Sequence, residues 1–167
     1  DGFSFDYHVI APNDVWIPTA VAIQDSLKQL NIEMNIVQYN YADAITLTQG
    51  GEYHGIVAST WASDFPDASG NLVSLFAGWN FPPQNNLSFY KNPQVDELLT
   101  KSESEQDQEA RLAMLVDAQK LIAEDAPVIF YEHFKWFYPM SSAFTGYTLG
   151  PLWYWDSFGR DLAPASK

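Results

Sequence analysis

The chain predicts an α/β fold, a mixed sheet flanked by helices, and two observations carry that expectation. Phe3-Ser4-Phe5-Asp6-Tyr7-His8-Val9-Ile10 and Ile32-Glu33-Met34-Asn35-Ile36-Val37 both alternate and are rich in β-formers, as half-buried strands are. Between them, Ala20, Ile23, Leu27 and Leu30 recur at helical spacing. Strand, helix and strand at this distance form a βαβ unit, which requires a parallel pair.

The elements follow in order. After the first strand, Asn13 or Asp14 can cap the helix, with Pro18 tolerated in its first turn. Asn31 ends that helix, and the second strand leads to a short helix over Tyr41–Gln49 closed by Gly50-Gly51. A third strand is expected over Tyr53–Ser59, running out at Trp61. Asp67–Phe76 reads as a helix with Leu72, Leu75 and Phe76 on one side. Gly78–Tyr90, with Pro82-Pro83 and Asn85-Asn86, reads as an exposed loop. Asn92 caps a helix with Pro93 at its first position, through Val95, Leu98 and Leu99. The longest helix is expected over Asp107–Glu124, with Leu112, Leu115, Val116, Gln119 and Ile122 on its stripe. Ala126-Pro127 ends it, and Val128-Ile129-Phe130-Tyr131 starts another strand. Beyond Trp136 the chain is aromatic and punctuated by glycine and proline, and Ala163–Lys167 reads as a loose tail.

Composition narrows the function. The 167 residues suit one domain or one large lobe, and 47% hydrophobic residues supply a core. The net charge of −13 opposes nucleic acid and anionic membrane surfaces as partners. Cationic and zwitterionic small ligands remain compatible. No cysteine is present, which removes disulfides, thiolate metal sites and cysteine catalysis. No apolar run approaches the roughly 18 residues of a membrane-spanning helix. A start at Asp1 suggests a processed chain or an excised piece.

Ser59-Thr60-Trp61-Ala62-Ser63-Asp64-Phe65-Pro66-Asp67 sets an indole and a carboxylate three residues apart where a strand opens into a loop. Small molecules bind beyond the carboxyl ends of strands in open α/β sheets. A flat apolar surface beside a fixed negative charge suits a ligand with an amine on an extended backbone. Taken alone, the stretch is more simply a packed tryptophan and an aspartate capping the next helix. Asp64 and Asp67 can also be paired as catalytic carboxylates, although Asp67 suits an N-cap better. His8, His54 and His133 lie apart in sequence with no metal-ligand spacing, and no metal or cofactor is expected.

The order of motifs adds to this. Trp61-Ala62-Ser63-Asp64-Phe65-Pro66-Asp67, then Asn85-Asn86, then Phe89-Tyr90-Lys91-Asn92-Pro93-Gln94-Val95-Asp96-Glu97-Leu98-Leu99, then Glu109-Ala110-Arg111 with Ala118-Gln119-Lys120-Leu121-Ile122 and Ala126-Pro127-Val128-Ile129, resembles the family 5 extracellular solute-binding proteins. These are the dipeptide- and oligopeptide-binding receptors of ABC importers. The resemblance implies one lobe of a type II periplasmic-binding-protein fold. Residues 1–135 would be the second, C-terminal lobe, and 136–167 a return segment packing toward an N-terminal lobe outside this chain. It implies a binding protein rather than an enzyme, periplasmic or extracellular, with or without a lipid anchor, delivering short peptides to ABC permease subunits.

By the same resemblance, Asp64 beside Trp61 holds the ligand's α-ammonium, and Ser63, Asn85 and Asn86 join the ligand-binding set. A peptide carboxylate needs a cation, and the arginines are Arg111 and Arg160. Arg111 reads as a surface ion pair on the polar side of its helix, Arg160 as structural, so the cation is expected from the first lobe. The alternatives are an oligosaccharide, nickel chelate or opine-like ligand, for which Trp61, Trp79 and Phe81 would offer stacking. A hydrolase and a protein-interaction module are the remaining readings. Trp136, Phe137, Tyr138, Trp153, Tyr154 and Trp155 are expected to pack against the first lobe, so that the isolated piece would dimerise or aggregate.

Overall fold

The structure is a computed structural model and describes residues 2–133, 135, 139–147 and 162–165. Its elements are β1 (Phe3–Ile10), α1 (Trp16–Lys28), β2 (Ile32–Tyr39), α2 (Tyr41–Gly50), β3 (Gly55–Val57), α3 (Ala68–Phe76), α4 (Pro93–Ser104), α5 (Gln108–Asp125), β4 (Phe144–Thr145) and β5 (Ala163–Pro164). The α/β class expected from the sequence is the class observed. The three-stranded sheet has the order β2-β1-β3, and both of its pairings are parallel. Antiparallel pairing occurs in the separate β4-β5 ribbon.

β1 is the central strand, and its Tyr7, His8 and Val9 are buried in succession. Such a run fits a strand covered on both faces rather than a half-exposed one. One core forms where Trp16, Ala20, Ile23 and Leu27 of α1 meet Tyr7, Val9 and Met34. Leu30, expected on that helical face, lies beyond the end of α1 and is 67% exposed. Asn13 performs the capping role without occupying the cap position. Its Oδ1 accepts from the Val15 and Trp16 N–H groups at 3.0 and 2.6 Å.

A second core gathers α3, α4 and α5 around Leu72, Phe76, Tyr90, Val95, Leu99, Leu115, Ala118 and Ile122. The stripe of α5 differs from expectation, because Leu112 and Val116 are about half exposed and Gln119 faces outward. At 100° per residue the buried arc runs from Ala118 through Ile122 to Leu115. That arc also contains Arg111, which therefore stands on the inward side and not on the polar side. Asn92 and Asp107 cap α4 and α5 through the N–H groups of Gln94 and Ala110. The Tyr90 hydroxyl donates to Asp125 Oδ2 at 2.6 Å and the Asn92 amide to the same oxygen at 2.8 Å. Burial, with Asp125 accepting that hydrogen bond, pushes the Tyr90 hydroxyl up to about 12.

Two further expectations are corrected. The third strand is three residues long, because Gly55, at φ +111°, passes so close to β1 that a Cβ would stand 2.1 Å from the Asp6 carbonyl oxygen. Val128–Tyr131 is irregular, since β-forming residues need a partner edge and no described strand pairs with them. The segment instead straps the two cores together. Phe130 meets Phe76 edge-on at 6.2 Å, and Glu132 accepts from Trp16 Nε1 at 3.1 Å. No helix among the described residues is long and apolar enough to cross a membrane. Trp136, Phe137, Tyr138, Trp153, Tyr154, Trp155 and Arg160 lie outside the described residues, as does most of 136–167.

Candidate ligand-binding site

Because β1 and β3 run parallel, their carboxyl ends share one edge of the sheet, and the Trp61–Asp67 loop leaves from that edge. The Ala58 N–H donates to the His8 carbonyl at 2.9 Å as the last tie of β3 to β1. Trp61 is partly buried, and among the described residues its buried indole N–H has no hydrogen-bond partner. Buried donors are seldom left unpaired in folded proteins. Ser63 Oγ donates to the Phe65 carbonyl at 2.6 Å, and the Asp67 N–H donates to the same oxygen at 2.8 Å. This turn rests on Gly70, where an added Cβ would stand 2.1 Å from Ser63 Oγ and 3.1 Å from the Phe65 ring. Asp64 stands at the exposed tip. Among the described residues its carboxylate has no ion pair and no hydrogen bond.

Asp67, in contrast to Asp64, is engaged through both carboxylate oxygens. Its Oδ1 accepts from the Ser69 N–H at 2.8 Å, which caps α3 as the sequence predicts. Both of its oxygens then receive the Arg111 guanidinium, Nη1 to Oδ2 and Nη2 to Oδ1, each at 2.8 Å. Arg111 Nε donates to the Ser102 carbonyl at 3.2 Å in the last turn of α4, where helix carbonyls lack intrahelical donors. The side chains of Arg111 and Asp67 are 18% and 31% exposed. The pair is thus half-withdrawn from solvent and two-pronged, which the surface ion pair read from sequence is not. Hydrogen bonds from Arg111 and then Ser69 hold the Asp67 carboxyl well below its ordinary value of 3.8. A carboxylate so engaged is not free to shuttle a proton, which argues against Asp64 and Asp67 as a catalytic pair.

The two asparagines separate. Asn85 is exposed on its loop. Asn86, expected to touch ligand, is fully buried. Its Nδ2 donates to the carbonyls of Ala77 and Tyr90 at 3.0 and 2.8 Å. Its Oδ1 accepts from Ser88 Oγ at 3.0 Å and from the Tyr90 N–H at 3.2 Å. An amide has two donors and two acceptor sites, so nothing is left for a ligand. Asn86 is the hub that folds Gly78–Tyr90 back onto itself, and that loop is correspondingly more buried than its composition suggests. His8 is likewise occupied, with Nδ1 3.2 Å from the Tyr39 hydroxyl and Nε2 3.2 Å from the His54 carbonyl. Among the described residues no three His, Asp or Glu side chains converge as a metal site would need.

The sequence reading missed the Arg111–Asp67 fork. Both residues lie in segments singled out for other reasons, and the one clue was an arginine one helical turn before Leu115 on the buried arc. Its partner, 44 positions away, has no local trace.

No family model matches the chain. Curated relatives do. The chain is 28% identical over 149 residues to "Probable D,D-dipeptide-binding periplasmic protein DdpA" of Escherichia coli K12, covering 89% of this chain and 28% of that protein. It is 26% identical over 133 residues to the dipeptide-binding protein of Pseudomonas aeruginosa PAO1, covering 80% and 25%. The chain therefore spans about a quarter of the length of these relatives. In fold it is similar to the ABC transporter-associated periplasmic binding protein DppA of Helicobacter pylori, solved in complex with the peptide STSA. The TM-score is 0.77 at 24% identity, over 98% of this chain and 31% of that one. These relatives are named as binding proteins, not enzymes. In sequence the chain is similar to part of dipeptide-binding periplasmic proteins, and in fold to part of a periplasmic binding protein, in line with the resemblance carried by its order of motifs.

Proposed function

We propose that this chain is the second lobe of an extracytoplasmic solute-binding protein that captures short peptides for an ABC importer. In this reading Asp64 binds the peptide's N-terminal ammonium, and Trp61 lies against the first residues of its backbone. The observation that carries the proposal is the contrast within one loop. Asp64 is exposed and, among the described residues, unpaired at the carboxyl edge of a parallel sheet, whereas Asp67, three residues on, is neutralised by Arg111. One free negative charge beside an indole fits a single cationic amine. Residues 1–135 belong to that lobe, and a first lobe outside this chain supplies the cation for the peptide carboxylate. Closure of the two lobes dries the site and strengthens the ammonium–carboxylate bond. Ser63 and Asn85 are further ligand contacts in this reading, and Asn86 holds its own loop together from within. Loaded protein then docks on permease subunits in the periplasm.

Calorimetric titration of the protein at its natural length with a dipeptide and tripeptide pool, beside the same pool N-acetylated, tests this. A charge-assisted bond of about 1.5–3 kcal/mol predicts roughly 10- to 150-fold weaker binding of the acetylated pool. Asp64→Asn should erase most of that difference. Equal binding of both pools would overturn the ammonium reading, and tighter binding of an oligosaccharide would replace the ligand class.

A further inference from the structure

We propose that Arg111 is a positioning residue for ligand capture, a guanidinium clamp that fixes the Trp61–Asp67 loop to the α4–α5 platform so that Asp64 faces the ligand. This inference rests on the peptide-capture reading above. Three observations carry it. First, the loop is not fastened by the sheet, since β3 ends at Val57 and its last tie to β1 is the Ala58 N–H. Its fastening comes from the other end, where Ser63, Phe65 and Asp67 are bonded to one another and to the first turn of α3.

Second, that first turn is itself held by one side chain from outside. Arg111 grips both oxygens of Asp67, reaches Ser69 Oγ at 3.4 Å and anchors its own Nε on the Ser102 carbonyl. A planar fork with donors on three sides defines the orientation of its partner in a way that a lysine point charge does not. Third, the clamp settles the charge at the loop. With Asp67 paired, Asp64 is the free carboxylate of Trp61–Asp67, so the loop presents one anionic point and not two. Positioning by a supporting shell of this kind governs how well a site performs.

The sign of the effect separates positioning from simple electrostatics. Removing a cation near an ammonium site strengthens binding if only long-range charge matters. A clamp predicts the opposite. In the natural-length protein, Arg111→Gln should lower the preference for free over N-acetylated peptide by roughly five- to tenfold, with Arg111→Lys recovering only part of it. Affinity for the acetylated pool should change little. Asp67→Asn is the second variant, because its amide oxygen can still cap α3 while the two-pronged pair is lost; it should reproduce the loss. In an Asp64→Asn background neither substitution should move the ratio further. Each variant is measured at a temperature where circular dichroism reports it folded, so that a merely structural role would leave the ratio at the wild-type value. An unchanged or raised ratio in folded variants overturns the clamp while leaving peptide capture intact. If wild type itself fails to discriminate the two pools, the capture reading falls and the clamp falls with it.

Discussion

Replacing Asn86 with alanine should cost this fold more than any exposed substitution in the same loop, and the amount can be worked from its partners. The Ala77 carbonyl would lose one of two donors, since the Asn80 N–H still reaches it at 2.9 Å. The Tyr90 carbonyl and N–H would lose the side-chain partner each has in Asn86. Ser88 Oγ can turn to solvent. Two orphaned backbone groups in a buried position cost about 1–3 kcal/mol each, so the total is about 2–6 kcal/mol. A domain of this size has only about 5–15 kcal/mol to lose. With a urea slope of about 2 kcal/mol per molar, the midpoint should fall by about 1–3 M. Asn86→Asp should be worse at neutral pH, because a carboxylate would face the Ala77 and Tyr90 carbonyls, and acidification should recover part of the loss. A loss under about 1 kcal/mol for Asn86→Ala, or an Asn86→Asp variant milder than it, would refute the hub role. A binding defect at unchanged stability would return Asn86 to the ligand.

Two other outcomes follow from the same geometry. Gly55→Ala should destabilise by about 3 kcal/mol or more, since strain at positive φ adds to a direct clash with the Asp6 carbonyl. Gly50→Ala, which meets nothing within 4 Å at the end of α2, should be neutral or slightly stabilising; thermal denaturation of the pair checks both. The pH dependence of stability reads the Asp67 pair. Its carboxyl is held below 3.8 in the fold, so its contribution is present above that value and lost as pH falls through the folded one. Wild type should therefore lose stability between about pH 5 and pH 2 more steeply than Asp67→Asn; parallel acid profiles would refute the pairing.

Much of the framework was legible because it is written locally. Alternation in Phe3–Ile10 and Ile32–Val37, and caps at Asp67 and Asn92, announce elements through residues a few positions apart. What escaped depends on distant partners. Val128–Tyr131 has strand composition, but strand formation needs an edge that the described fold does not offer it. The expected stripe of α5 included Leu112, Val116 and Gln119, whereas packing in the core shared with α3 and α4 buries the side that carries Leu115, Ala118 and Ile122. That choice brings Arg111 inward and makes its pairing with Asp67 possible. Asn86 shows the same limit in the other direction. A turn-rich, asparagine-bearing loop looks solvated in sequence, and only the fold reveals that the amide has replaced backbone pairing. At the site, Trp61, Ser63 and Asp64 fall at the strand exit where the sequence puts them, and the identity of the bound solute is the part that no local pattern encodes.

The most direct test of the account is a crystal structure of the natural-length protein with a bound short peptide. It should have the peptide's ammonium nitrogen within about 2.7–2.9 Å of an Asp64 carboxylate oxygen, with Arg111 still gripping Asp67. A peptide whose amine is held by another residue, while Asp64 remains turned to solvent, would contradict it.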